Sequence, residues 1–150
     1  MSDYQLAQLN VAIMLAPIDS PQLKEFVDNL DRINFLAEEA SGFVWRLQSD
    51  DGDATSFRPY GDDVLVNMSV WDSIELLHNY VYSSDHAKIM SRRKEWFERM
   101  KEVYTVLWWI PKNEIPSLEQ AKEKLDLLRD RGPTAAAFTF KQNFSSPSDN

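Results

Sequence analysis

The chain contains no cysteine, which removes disulfides, thiolate nucleophiles, thiolate-ligated haem and iron–sulfur clusters together. Glycine is almost as scarce, with four in 150 residues and no Gly-rich run. A loop that cradles phosphates through bare backbone is therefore disfavoured. Basic residues are in deficit, 16 Lys and Arg against 24 Asp and Glu, for a net charge of −8. Such a surface repels phosphate backbones and anionic lipid, so nucleic acid is not an expected partner. No apolar run approaches the roughly 18–20 residues that span a bilayer, and membrane insertion is not expected. Met1-Ser-Asp-Tyr-Gln5 shows no basic segment followed by an apolar one, so a cytoplasmic location is the expectation. Ser-His-Asp ordering and paired-carboxylate motifs are also lacking.

What is present is apolar and aromatic. Hydrophobic residues make up 43% of the chain, with Phe 8, Trp 5 and Tyr 5. That length and composition fit one domain with a real core. The expected division is a single domain over 1–140 and a polar, flexible tail over 141–150.

Periodicity supplies the elements. Residues 4–14 alternate as a first strand, with Leu9, Val11 and Ile13 on one face and Leu6, Gln8, Asn10 and Ala12 on the other. Asp19-Ser20-Pro21 opens a helix whose stripe runs Leu23, Phe26, Val27, Leu30, Ile33, Asn34 and Ala37. Residues 43–48 form a second strand and Asp50 to Asp53 a turn. Residues 63–71 form a third strand, with Leu65, Asn67, Ser69 and Trp71 on one face. A helix over about 73–82 is interrupted at Ser83-Ser84-Asp85, and either serine can cap a second helix running to about Met100. Residues 103–110 read as a buried fourth strand. Ser117-Leu-Glu-Gln120 is a capping box for a last helix that stops at Gly132-Pro133, and residues 135–140 suggest a short extra strand.

The order is an α+β, ferredoxin-like β-α-β-β-α-β unit with an added C-terminal helix and strand. Helices on one side leave the other side of the sheet to be covered. The mixed face of Leu6, Gln8, Asn10, Asn67 and Ser69 suits a second sheet, so a homodimer through sheet faces is expected.

His86 sits in a first helical turn at the head of an apolar stripe. A neutral imidazole there can ligate iron or shuttle protons, or it can simply bond a loop carbonyl. His78 reads as a core or interface histidine. Arg92 and Arg93, one to two turns beyond His86, can hold carboxylates or pair with nearby acids on a solvated face. Asn34 breaks the apolar stripe of its helix, and a buried amide needs partners, as do Asn67, Ser69 and Arg46 in their strands. The tryptophans, Trp96 among them, can wall a flat cavity or pack the core.

Phe43-Val-Trp-Arg-Leu47, Val66-Asn-Met-Ser-Val-Trp71, Tyr82 to His86, Arg93-x-x-Trp-Phe97, Val106-Leu-Trp-Trp-Ile-Pro111 and Gly132-Pro-Thr134 with Ala137-Phe-Thr-Phe140 carry a resemblance over nearly 4–140. They resemble a bacterial family of small proteins of unknown function in the dimeric α+β-barrel superfamily. More distantly, Ser69-Val-Trp71 with Tyr82, His86 and Trp96 is similar to spheroidene monooxygenase, a haem-dependent carotenoid oxygenase. That likeness implies haem with His86 as axial ligand to the iron, Arg92 and Arg93 as propionate partners, and Trp96 beside them. Glu114 departs from the family, whose members often carry His there.

The expected function is thus an oxygenase-like enzyme acting on a small hydrophobic or aromatic molecule between sheet and helices, with haem on His86. The first alternative is a cofactor-independent monooxygenase or isomerase, in which Asn34, Asn67 or Arg46 polarises the substrate and His86 moves protons. The second is a small-molecule binding protein without catalysis.

Overall fold

The computed structural model describes residues 3–49 and 52–147. Four strands, β1 (Tyr4–Ile13), β2 (Phe43–Arg46), β3 (Val64–Trp71) and β4 (Thr105–Pro111), form one antiparallel sheet in the order β2-β3-β1-β4. With α1 (Lys24–Glu39) after β1 and the pair α2 (Ile74–Val81) and α3 (Ser84–Met90) between β3 and β4, this is a ferredoxin-like core. A further helix, α4 (Leu118–Arg131), follows β4. No helix among the described residues is long and apolar enough to cross a membrane.

Local chemistry sets several boundaries. Ser73 Oγ accepts from the Leu76 N–H at 3.2 Å to open α2, and Ser117 Oγ accepts from the Gln120 N–H at 3.0 Å to open α4. Gly132, at φ 73°, ends α4 with its N–H on the Leu128 carbonyl. Gly42, at φ 88°, turns the chain from α1 into β2 directly against Leu76.

The two faces of the sheet are packed differently. One carries Ala7, Leu9, Val11, Val66, Met68, Val70, Val106, Trp108 and Ile110, none more than 5% exposed, beneath Ala121, Leu125 and Leu128 of α4. The other face lies beneath α1, α2 and α3. It is pinned at one end by Leu6, Trp71 and Leu107 against Ala37, Leu77 and Phe138. At the other end Ala12 and Leu65 pack with Leu23, Trp96 and Phe97.

Strand β2 contains a bulge. Phe43 pairs with Trp71, Trp45 with Val70 and Arg46 with Ser69, leaving Val44 as an extra residue. Phe43 and Arg46 consequently share the helix side, while Trp45 packs into the α4 cluster.

Several expectations are corrected. The Gln8, Asn10, Asn67 and Ser69 face is roofed by helices, and the opposite face is occupied by α4. Neither face is bare within one chain, which corrects the open polar face but not the homodimer that was expected from it. The helix beginning at Ser84 ends at Met90 rather than near Met100. Its continuation is prevented because Leu15 N–H bonds the Trp96 carbonyl (2.8 Å) and Glu98 N–H the Ile13 carbonyl (2.8 Å), drawing the chain extended beside β1. The added C-terminal strand is reduced to two isolated bridges, Leu107 with Phe138 and Thr134 with Ala137. Turn bonds from Ala137 N–H to the Thr134 carbonyl and from Thr139 N–H to the Gln142 carbonyl bend the chain on either side. Beyond it, the Trp109 indole donates to the Phe144 carbonyl at 2.8 Å, and Ser146 is buried. Asp50, Asp51 and the last three tail residues lie outside the described residues.

Candidate functional site

Between the two apolar ends of the helix-covered face, the sheet and helices part around a cavity of about 790 Å³. Its floor is a polar band across three strands. Register places Asn10 beside both Asn67 and Thr105, and Gln8 beside Ser69. Its roof is mainly apolar, from Phe26, Leu30 and Ile33 of α1 to Val81 and Ile89 of α2 and α3. Asn34 and His86 interrupt that roof.

The floor is held by its own hydrogen bonds. Gln8 Nε2 donates to Asn67 Oδ1 at 2.7 Å and to Ser69 Oγ at 2.8 Å. Trp71 Nε1 donates to the same Ser69 Oγ at 2.8 Å, and Asn10 Nδ2 donates to Thr105 Oγ1 at 2.8 Å. Ser69 Oγ, having accepted twice, keeps its own O–H as a donor, and Thr105 does the same. Gln8 Oε1 and Asn10 Oδ1 remain acceptors and Asn67 Nδ2 a donor, without a partner among the described residues. A rigid polar floor under an apolar roof is a surface that orients a bound molecule.

Arg46 reaches this floor because of the β2 bulge. Its side chain is 11% exposed, and among the described residues its ion-pair contact is Nη2 to Glu38 Oε1 at 3.5 Å. Its Nε is buried without a hydrogen-bond partner among the described residues. A guanidinium stays charged at any working pH, so this is a permanent cation at the cavity wall.

His86 is positioned by the break between α2 and α3. Its Nδ1 lies 2.7 Å from the Val81 carbonyl oxygen, which can only accept, so Nδ1 carries the hydrogen and Nε2 the lone pair. Burial lowers the imidazole below its usual range, opposed by the bond to Val81. The ring sits 5.0 Å from that of Tyr80, whose hydroxyl donates to the Ile33 carbonyl at 3.0 Å. Burial pushes the Tyr80 phenol up to about 12, so it stays neutral beside His86.

Residues 5–150 match the family described as a domain of unknown function, DUF3291. The chain belongs to that family. No curated protein matches it. Among solved structures, this DUF3291 chain is similar to the protein PA3566 from Pseudomonas aeruginosa, at 9% identity and a TM-score of 0.50, over 76% of this chain and 98% of that one. SnoaB from Streptomyces nogalater, a cofactor-independent oxygenase, is similar at 13% identity and a TM-score of 0.46, over 76% and 97%. A dabb family protein with a ferredoxin-like fold from Mesorhizobium loti is similar at 14% identity and a TM-score of 0.42, over 75% and 99%. At these identities the likenesses concern the fold alone.

Among the residues expected from the DUF3291 sequence, His86, Asn34, Asn67, Arg46 and Arg93 line the cavity. Arg92 and Trp96 do not. Arg92 is held outside by Glu25 and Glu95, with its guanidinium 5.0 Å from the Trp96 ring centroid, and Trp96 is buried in the core. Arg93 lies over the Tyr104 ring at 4.7 Å. The end of α3 at Met90 is what removes Arg92 and Trp96 from the His86 face. The four residues expected to hold haem therefore do not converge, and among the described residues no group of three His, Asp or Glu could hold a metal ion. These residues do not fit the expected haem site. His78 is exposed rather than core, its ring 4.4 Å from that of Tyr82. Of the five tryptophans only Trp71 lines the cavity, and Glu114 lies exposed in a turn. Sequence reasoning had assigned Gln8 and Asn10 to a dimer face and gave no role to Tyr80 or Thr105. The signal available was the row of amides at alternate positions of two paired strands.

Proposed function

We propose that this protein is a cofactor-free enzyme that moves a proton on a small, largely apolar molecule held between sheet and helices. The observation that carries the proposal is His86: a half-buried, neutral imidazole on the cavity wall, its Nδ1–H committed to Val81 and its Nε2 without a partner among the described residues. Nε2 takes a proton from a C–H or O–H of the bound molecule, and the electron pair stays on the substrate as an enolate or phenolate. Donors on the floor, Ser69 O–H and Asn67 Nδ2–H, stabilise that developing charge in a site of low dielectric. Reprotonation at another atom gives isomerisation. Reaction of the carbanion with dioxygen gives a monooxygenase, in which a CH₂ becomes C=O and the second oxygen leaves as water.

The test is proton exchange. The flat ketone 2-tetralone is incubated with protein in D₂O, and loss of its α-proton signals is followed by NMR, with oxygen uptake recorded in parallel. Exchange is expected to be faster with the native protein than with His86→Gln by roughly 10²–10⁴-fold. Oxygen uptake accompanying exchange assigns the monooxygenase branch, and its absence the isomerase branch. Equal exchange rates for the two proteins would remove the proton-transfer reading and leave a binding protein.

A further inference from the structure

The charges that face the cavity run opposite to those of the chain as a whole. The protein carries −8, yet the ionic side chains lining the cavity are Arg46, Arg93 and Lys141 against one carboxylate, Asp53. Asp53 is turned to its own loop, accepting from Thr55 N–H at 2.9 Å and Thr55 Oγ1 at 2.7 Å. Lys141 is exposed, and the Arg93 guanidinium is stacked over Tyr104. The Arg46 side chain is 11% exposed.

Its bonding is incomplete. A guanidinium offers five N–H donors in a planar fork, and burial without acceptors is costly. Glu38 meets one terminal nitrogen at 3.5 Å, from a side chain that is itself 44% exposed, and the Nε–H is buried without an acceptor among the described residues. Across the strand pair, Ser69 still has an O–H to donate. A planar anion with two oxygens satisfies this set, taking N–H bonds from Arg46 with its apolar body under Phe26 and Ile33.

We infer that the ligand of this cavity is an apolar or aromatic carboxylate, anchored by its anionic group on Arg46; this rests on the cavity being the site of the proton transfer proposed above. A carboxylate anchored there leaves the carbon body toward the roof, the side from which His86 is presented.

The experiment uses two probes of one shape and different charge, 2-naphthoate and 2-naphthamide, titrated calorimetrically into the full chain at neutral pH. Naphthoate is expected to bind at least about tenfold more tightly, as a charge-assisted hydrogen bond implies. Arg46→Gln should abolish that preference, lowering naphthoate affinity to that of the amide while leaving the amide unchanged. Arg46→Lys, which keeps the charge without the fork, should retain part of it and serves if Arg46→Gln does not fold. Equal binding of both probes to the native protein overturns the inference and leaves the cavity as the binding site. So does a preference that survives Arg46→Gln or disappears instead in Arg93→Gln. Binding of neither probe overturns it together with the cavity's role. Retention of the preference in His86→Gln separates the anchor from the proton transfer.

Discussion

His86 Nδ1 stands 2.7 Å from the carbonyl of Val81, the last residue of α2, so one side-chain bond closes the break between α2 and α3. The break is what lets an imidazole face the sheet. In an unbroken helix that carbonyl would accept from Asp85 N–H, and the ring would have no fixed partner. The bond sets both the tautomer and the angle at which Nε2 is presented.

The first prediction concerns pH. The folded imidazole titrates below its ordinary 6.5, chiefly through burial. On acidification the unfolded chain takes up this proton first, so the group's contribution to stability is full above about pH 6.5 and is lost as pH falls toward the folded value. Tyr80, the titratable ring in contact with it, is neutral throughout that window. Thermal midpoints between pH 7 and 5 should therefore fall less steeply in His86→Gln than in the native protein. Parallel profiles would count against a buried neutral histidine.

Ser69→Ala tests the floor. The hydroxyl accepts from both Gln8 Nε2 and Trp71 Nε1, and Trp71 is 1% exposed with no other acceptor for its indole among the described residues. Orphaning that buried donor should cost about 1–3 kcal/mol in urea unfolding. A loss within about 0.5 kcal/mol would mean that the floor readily finds other partners.

Gly42→Ala tests the junction of α1 and β2. A Cβ built there lies 2.6 Å from Leu76 Cβ, and the backbone sits at φ +88°. Steric overlap and a positive φ act in the same direction, so a loss of about 1–3 kcal/mol is expected by the same measurement. An unchanged midpoint would show that α2 can move away from the turn.

Leu125→Ala tests the seal over the second face. Leu125 is fully buried between α4 and the sheet, and its truncation should cost about 2–5 kcal/mol. Because α4 covers an entirely apolar sheet surface, concentration-dependent self-association by light scattering should accompany the loss. A variant that is destabilised but strictly monomeric would show that the face stays covered.

Strand positions and helix caps were legible because their causes are local. Ser117 with Gln120, and Gly132, each act within four residues. The place of Asn34 on the cavity wall was legible for a similar reason, since an amide in an apolar stripe must face something polar or a ligand. The facing of the sheet was not legible. Strand β1 is buried on both sides, so alternation alone could not say which side α4 would take. The amide row was read as an outer surface, when the helices above it leave a gap that polar groups can line. The end of α3 also escaped, because it is set by pairing with Ile13 and Leu15 some eighty residues earlier.

The length of β2 carries a consequence of its own. Residues three apart on a regular strand point to opposite sides, yet Phe43 and Arg46 share one because Val44 adds a step between them. Removing Val44 would leave Phe43, Trp45 and Arg46 opposite Trp71, Val70 and Ser69 in plain alternation, whereas ironing out the bulge with Val44 retained would turn the Trp45 indole toward the cavity and the Arg46 guanidinium into the apolar layer under α4. Whether this cavity holds a cation is therefore decided by a single unpaired step in a four-residue strand, which no residue lining the cavity supplies.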